Sequence, residues 1–479
     1  ALVVTTTSNA SNGTVTSVAN LIANDGGDGI SLFEAIQATN ATAGTDYIHF
    51  DIADPGPHVI NVTTALPTIT QAVVIDASSE PDFAANGNRP VVVLDGNDLA
   101  ADGLTLGSGA DGSTIRGLVI RDFGHSGIYI RSGSDGNTIA GNYIGRLTTS
   151  GTAAAAGEGN GAAAIWIEGS SNTIGGIGAL DRNILSGNAG AGVGFGGGSN
   201  NAIQGNYIGV DASGATALGN ASQGIFVDSA TNNIIGGVVP AARNVISGNL
   251  SYGIWLTASA SGTRIQGNLV GLNAAGSAAL ANVEGVYVQS ADNLIGGTAP
   301  AQRNVVSGNI GRGITLTGAM ATNNPVQGNY VGTAEPGMLD VDGTDPAMTH
   351  SGVVLMGGAS NNLIGTDADG VNDAAERNVI SGNNWYGVDL VDVSNNRVQG
   401  NYIGTDATGN VALGNSAGGV SFWNHASGNF VGNGLAAARN VIAGNGSAGQ
   451  GQNVNFGLGV TGNKVQGNYI GLGANRSEE

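Results

Sequence analysis

Apolar and polar residues alternate over short runs along most of this chain, and nearly every run stops at Gly or Gly-Asn. Typical runs are Gly127-Ile-Tyr-Ile, Gly224-Ile-Phe-Val, Gly253-Ile-Trp-Leu, Gly285-Val-Tyr-Val and Gly313-Ile-Thr-Leu. Alternation at period two reads as strand, and the Gly-Asn pairs read as turns that need positive φ. One stretch breaks the rule. Ile30 to Thr39 places Ile30, Leu32, Phe33 and Ile36 at helical spacing, which predicts one short amphipathic helix.

The runs belong to a repeat. The glycine of a Gly-Asn-Tyr-Ile phrase recurs at Gly141, Gly205, Gly267, Gly328, Gly400 and Gly467, giving periods of 64, 62, 61, 72 and 67 residues. An Arg-Asn-Val-Ile phrase falls between at Arg182, Arg243, Arg303, Arg377 and Arg439. Two Gly-Ile-x-Ile strands fit in each period, so the unit is about thirty residues with three short strands and three turns. That is one rung of a parallel β-helix, in which each strand pairs with its own copy one rung on, about 4.8 Å away.

Inward positions such as Ile128, Ile225, Ile254, Val286 and Ile314 then form an aliphatic stack. Asn206, Asn268, Asn329 and Asn401 form a ladder of side-chain amides. The repeated Arg residues stand on alternate rungs, about 10 Å apart, and are expected to lay their stems over the turns and bind loop carbonyls or a nearby carboxylate. Residues 1–102 do not keep the period and read as an N-terminal cap with irregular first rungs, its strands near 47–52, 73–76 and 91–94. Residues 103–479 read as a regular solenoid. No capping sequence follows the last repeat, which leads to the expectation of a longer parent protein or of end-to-end self-association.

Composition changes little in this picture. Gly numbers 84 in 479 residues, but 41% hydrophobic content at a strict period buries a continuous core. Charge matters more: 35 acidic against 15 basic residues give a net charge of −20, which repels nucleic acid and anionic membrane. No run of eighteen apolar residues exists, so no membrane insertion is expected. There is no Cys, and the rungs must hold the chain without disulfides. No motif for an organic cofactor is found.

The opening segments, VVTTT near Val3, GISLFEAIQATN from Gly29, LPTIT from Leu66 and VVIDASSEP from Val73, resemble the start of bacterial surface and secreted proteins of the CSLREA-type β-helix group. That group usually has Arg where this chain has Phe33. The repeats resemble the right-handed parallel β-helix shared by pectate-lyase-like enzymes and large bacterial adhesins. The resemblance implies an all-β, right-handed fold and a secreted or cell-surface location. It does not choose among lyases, epimerases, glycosidases and proteins that only bind.

Candidate chemistry therefore comes from residues that decorate the repeat. The outward position of the Gly-Ile-x-Ile strand reads Tyr129, Trp166, Gly194, Phe226, Trp255, Tyr287, Thr315, Val354, Asp389 and Ser421 up the stack. The neighbouring column reads Arg131, Glu168, Gly196, Asp228, Thr257, Gln289 and Thr317. Outward rings beside carboxylates, amides and a guanidinium suit a polysaccharide or cell-surface glycan, because a pyranose stacks its apolar face on a ring while its hydroxyls meet the polar column. A column covered by a loop, or a protein interface, would read the same way.

If the face is catalytic, Glu168 and Asp228 are its carboxylates. They stand two rungs apart, about 9 to 10 Å, near the upper end of the separation in inverting glycosidases. His49, His58, His125, His350 and His425 show no ligand spacing, and no nucleophile motif is present. A second decoration is acidic: Asp340, Asp342 and Asp345 in one insertion and Asp367, Asp369 and Asp373, with Glu376, in the next offer the hard oxygens that Ca²⁺ prefers. The expectation is an exported module that binds glycan or Ca²⁺ without turnover. The alternatives are a polysaccharide-active enzyme and a self-assembling structural protein.

Overall fold

The computed structural model of the protein describes residues 1–334, 337, 350–446 and 451–475. It falls into two compact units, Ala1–Ala230 and Thr231–Glu479. Each is built of short strands in three parallel sheets, here A, B and C. In the first unit sheet A runs from Leu2–Val4 through Asp46–Phe50 and Val73–Asp76 to Ala202–Gln204. Sheet B runs from His58–Asn61 to Tyr207–Ile208, and sheet C from Leu104–Leu106 to Ile225–Val227. The second unit repeats the plan, sheet C running there from Tyr252–Leu256 to Gln452–Phe456.

The inward stack follows the alternation. Ile128, Ile165, Val193 and Ile225 are paired in register and buried in the first unit. Ile254, Val286, Ile314 and Val353 do the same in the second. The two repeated phrases, distinct in sequence, occupy one structural position on alternate rungs. Tyr143 of the first phrase pairs with Ile184 of the second, which pairs with Tyr207 of the first.

This equivalence makes the asparagine ladder twice as dense as the Gly-Asn phrase alone suggests. In the second unit the Nδ2 of Asn244 donates to Oδ1 of Asn268 at 2.9 Å, Asn268 to Asn304 at 3.0 Å, and Asn304 to Asn329 at 2.9 Å. Each Oδ1 also takes a backbone N–H from the rung below, as Asn304 does from Asn268 at 3.0 Å. Further ladders run at other corners, such as Asn160, Asn188 and Asn220 in the first unit. These amides are buried, and the stacking gives their donors and acceptors partners inside the wall.

The arginines behave as expected. Nε of Arg182, Arg243, Arg303, Arg377 and Arg439 donates to the carbonyls of Gly205, Gly267, Gly328, Gly400 and Gly467 at 2.8 to 3.1 Å. Four of them also lie 4.1 to 4.5 Å over the rings of Tyr207, Tyr330, Tyr402 and Tyr469.

The predicted helix forms at Leu32–Asn40, with Ser31 and Glu34 in a reciprocal cap. Its buried face is Leu32, Ala35 and Ile36, while Phe33 is only half-buried. A second helix, Val18–Ala23, was not predicted; Ser17 caps it, and six residues are too few to show a period. Strands Leu2–Val4 and His58–Asn61 were also missed among the early segments.

Candidate functional site

Sheet C presents the ring column on its outward face. In the first unit Trp166 pairs in register with Tyr129 on one side and Gly194 on the other, and Gly194 pairs with Phe226. Gly194 does not interrupt the aromatic surface. A Cβ on Gly194 would collide with Cε3 and Cζ3 of Trp166, and one on Gly196 would sit 3.0 Å from Cζ2. The indole thus lies across both glycines. Phe226 stacks at its far edge, with ring centroids 6.5 Å apart and planes 27° from parallel. Trp166, Phe226 and Tyr129 are all half-buried, so the rings keep an open side.

The polar column flanks them. Glu168 follows the Trp166 strand and Asp228 the Phe226 strand, both half-exposed, and Arg131 stands 5.2 Å over the Tyr129 ring. Burial pushes the Tyr129 phenol up to about 12, assisted by its hydrogen bond to Glu168 and by the Glu168 charge.

In the second unit Trp255 and Tyr287 pair in register, and the Trp255 Nε1 donates to Oε1 of Gln289 at 2.9 Å. The predicted residues meet here, but Tyr252, one column earlier, joins them at 5.3 Å from Trp255 and 4.7 Å from Tyr287. The Trp255 and Tyr287 rings meet edge to face at 84°. This cluster packs on itself, unlike the flat indole of Trp166. Further along, Thr315, Val354 and Ser421 are buried although they face outward.

Two further carboxylates lie on the same face, Glu284, which the sequence reading missed, and Asp389 of the outward column. Glu284 sits 3.4 Å from Arg312 Nη1 and accepts from Thr315 Oγ1, and burial raises its pKa. Asp389 accepts from Ser421 Oγ at 2.5 Å, and burial raises its pKa too. Tyr252 and Glu284 begin strands that start one residue before the Gly-Ile-x-Ile phrase, which is why the phrase hid them. In the first unit the buried His58 lies 3.6 Å from Glu80 and 3.5 Å from Asp82, a cluster that no spacing announced.

Of the acidic insertions, Asp340, Asp342 and Asp345 lie outside the described residues. In the other insertion carboxylate oxygens of Asp367, Asp373 and Glu376 come within 4.8 Å of one another. Asp369 does not join them. The chain turns at Ala368, which has a φ of 62°, and Asp369 Oδ1 instead accepts from the Val371 N–H at 2.7 Å.

The sequence model of the right-handed β-helix region family matches residues 70–331, more than half of the chain, and the chain belongs to that family. No curated protein sequence matches it. Among solved structures it is similar to the A-module of the Azotobacter vinelandii mannuronan C-5 epimerase AlgE6, at 16% identity and a TM-score of 0.42, covering 91% of this chain and 93% of that one. It is similar to a double mutant of the periplasmic alginate epimerase AlgG, at 10% identity and 0.43, over 90% and 79% of the two chains. It is also similar to the PL6 family polysaccharide lyase Pedsa3628 from Pseudopedobacter saltans, at 12% and 0.38, over 90% of each. Such distant likeness carries no chemistry across. No described helix is long and apolar enough to cross a membrane.

Proposed function

We propose that the outward face of sheet C in the first unit is a glycan platform, and that the protein is an exported surface or matrix module that binds polysaccharide without turning it over. The observation that carries this reading is the Trp166 indole laid flat across Gly194 and Gly196 with Phe226 stacked beside it. A fixed, half-open ring surface flanked by carboxylates is what a pyranose needs, and it costs little ordering on binding.

Geometry favours binding over catalysis. A phenol with a pKa of about 12 holds its proton near neutral pH, so Tyr129 is no general base there. Glu168 and Asp228 are separated by two rungs, about 9 to 10 Å, at the upper end of the range for a water-activating pair. Glu284 and Asp389, whose pKa values are raised, belong to strands three rungs apart, with the Arg312 charge bearing on both carboxylates.

The test is binding to a panel of soluble polysaccharides by calorimetry, with product analysis in parallel. Trp166→Ala is expected to weaken binding by about 1 to 3 kcal/mol with the fold retained, and no shortened or unsaturated product should form. Polysaccharide binding indifferent to Trp166, or steady product release, defeats the proposal.

A further inference from the structure

Each ring strand of the platform is followed two residues on by a polar-column position, and a carboxylate fills it at Trp166 and Phe226 while a guanidinium fills it at Tyr129. Glu168 follows the Trp166 strand and Asp228 the Phe226 strand, while Arg131 belongs to the Tyr129 rung and lies over that ring at 5.2 Å. Between the two acids the polar column holds Gly196, which contributes no side chain. At the Tyr129 end, the Glu168 and Asp102 charges bear on the phenol and the Arg131 charge opposes them. The surface over Trp166 and Phe226 is therefore lined by negative charge, in a chain whose net charge is −20.

We infer that the platform takes glycans without carboxylates and rejects polyuronates. This rests on the glycan reading above and goes on to name the class of glycan. A polyuronate carries a carboxylate on every sugar, so seating one on Trp166 and Phe226 brings like charges together at a half-buried surface, where water screens them poorly. The overall negative field also slows approach of a polyanion. A neutral sugar meets the opposite situation: its hydroxyls donate to Glu168 and Asp228 in charge-assisted hydrogen bonds.

The experiment titrates the full chain with neutral polysaccharides (β-glucan, galactomannan, xylan) and with polyuronates (polygalacturonate, polymannuronate). Chelator is present so that divalent cations do not bridge the charges. At low salt at least one neutral polymer is expected to bind in a Trp166-dependent manner with little sensitivity to salt. The polyuronates should bind at least about tenfold more weakly, the gap narrowing as salt rises. Glu168→Gln should raise the ratio of polyuronate to neutral affinity several-fold, whatever it does to each alone.

Trp166-dependent binding of a polyuronate as tight as that of any neutral polymer overturns the inference and leaves the platform standing. Absence of Trp166-dependent binding to every polymer removes the platform itself, and the inference with it.

Discussion

A glycine inside a strand gives up side-chain packing, and at Gly194 that space is filled from the neighbouring rung by Trp166. Gly194→Ala should therefore act through the ring. Its methyl group would displace the indole, changing tryptophan fluorescence and near-UV dichroism, lowering stability by about 1 to 3 kcal/mol, and reducing glycan binding about as much as Trp166→Ala. A Gly194→Ala protein with unaltered tryptophan signals would show that the ring does not rest there.

Asp389 supports a second expectation at this scale. Burial raises its pKa in the folded protein, so the native state holds a proton that the unfolded chain releases from about pH 4 upward. Stability is then lost as pH rises from that value, and the loss is complete above the raised native pKa. Glu284 shifts in the same direction. Asp389→Asn keeps an acceptor for the Ser421 hydroxyl and removes the titration. Denaturant unfolding at pH 4 and pH 7 should find the variant less dependent on pH and more stable than the parent at pH 7. Identical pH dependence in the two proteins would contradict the assignment.

At the scale of an element, the asparagine ladder sets the cost of breaking a rung. Removing Asn304 leaves the buried backbone N–H of Asn268 without its acceptor and the Ile265 carbonyl without its donor, while Asn268 Nδ2 keeps the carbonyls of Ile235 and Gln266. Asn304→Ala is expected to destabilise the second unit by roughly 2 to 5 kcal/mol, at about 1 to 3 kcal/mol for each orphaned group. A midpoint shift equivalent to less than about 1 kcal/mol would mean that water replaces the lost partners.

The acidic insertion yields the remaining prediction. If Asp367, Asp373 and Glu376 hold Ca²⁺, millimolar Ca²⁺ should raise the melting temperature, chelator should reverse the rise, and Asp373→Asn should abolish it. Asp369→Asn, whose carboxylate caps a turn, should leave most of the rise intact. A melting temperature unchanged by Ca²⁺ rules out a stabilising ion at this cluster.

On the scale of the whole molecule, a period-two pattern interrupted by Gly-Asn every few residues can bury its apolar side only by stacking copy on copy. The right-handed parallel β-helix, the inward aliphatic column, the outward ring column and the structural role of the arginines were all legible for that reason: each depends on spacing along the chain. Some features were not. The sequence does not say that Arg182-Asn183 and Gly205-Asn206 fill one position, because equivalence is fixed by hydrogen bonds between rungs. Nor does it say which outward side chains are free, since Thr315, Val354 and Ser421 face outward and are nevertheless buried. Gly194 read as a gap in the aromatic column, yet the side chain of Trp166 crosses from one rung to the next to cover it. Alternation along a strand determines the face on which a residue lies; the torsions of its side chain and the neighbours one rung away decide what that face offers to a ligand.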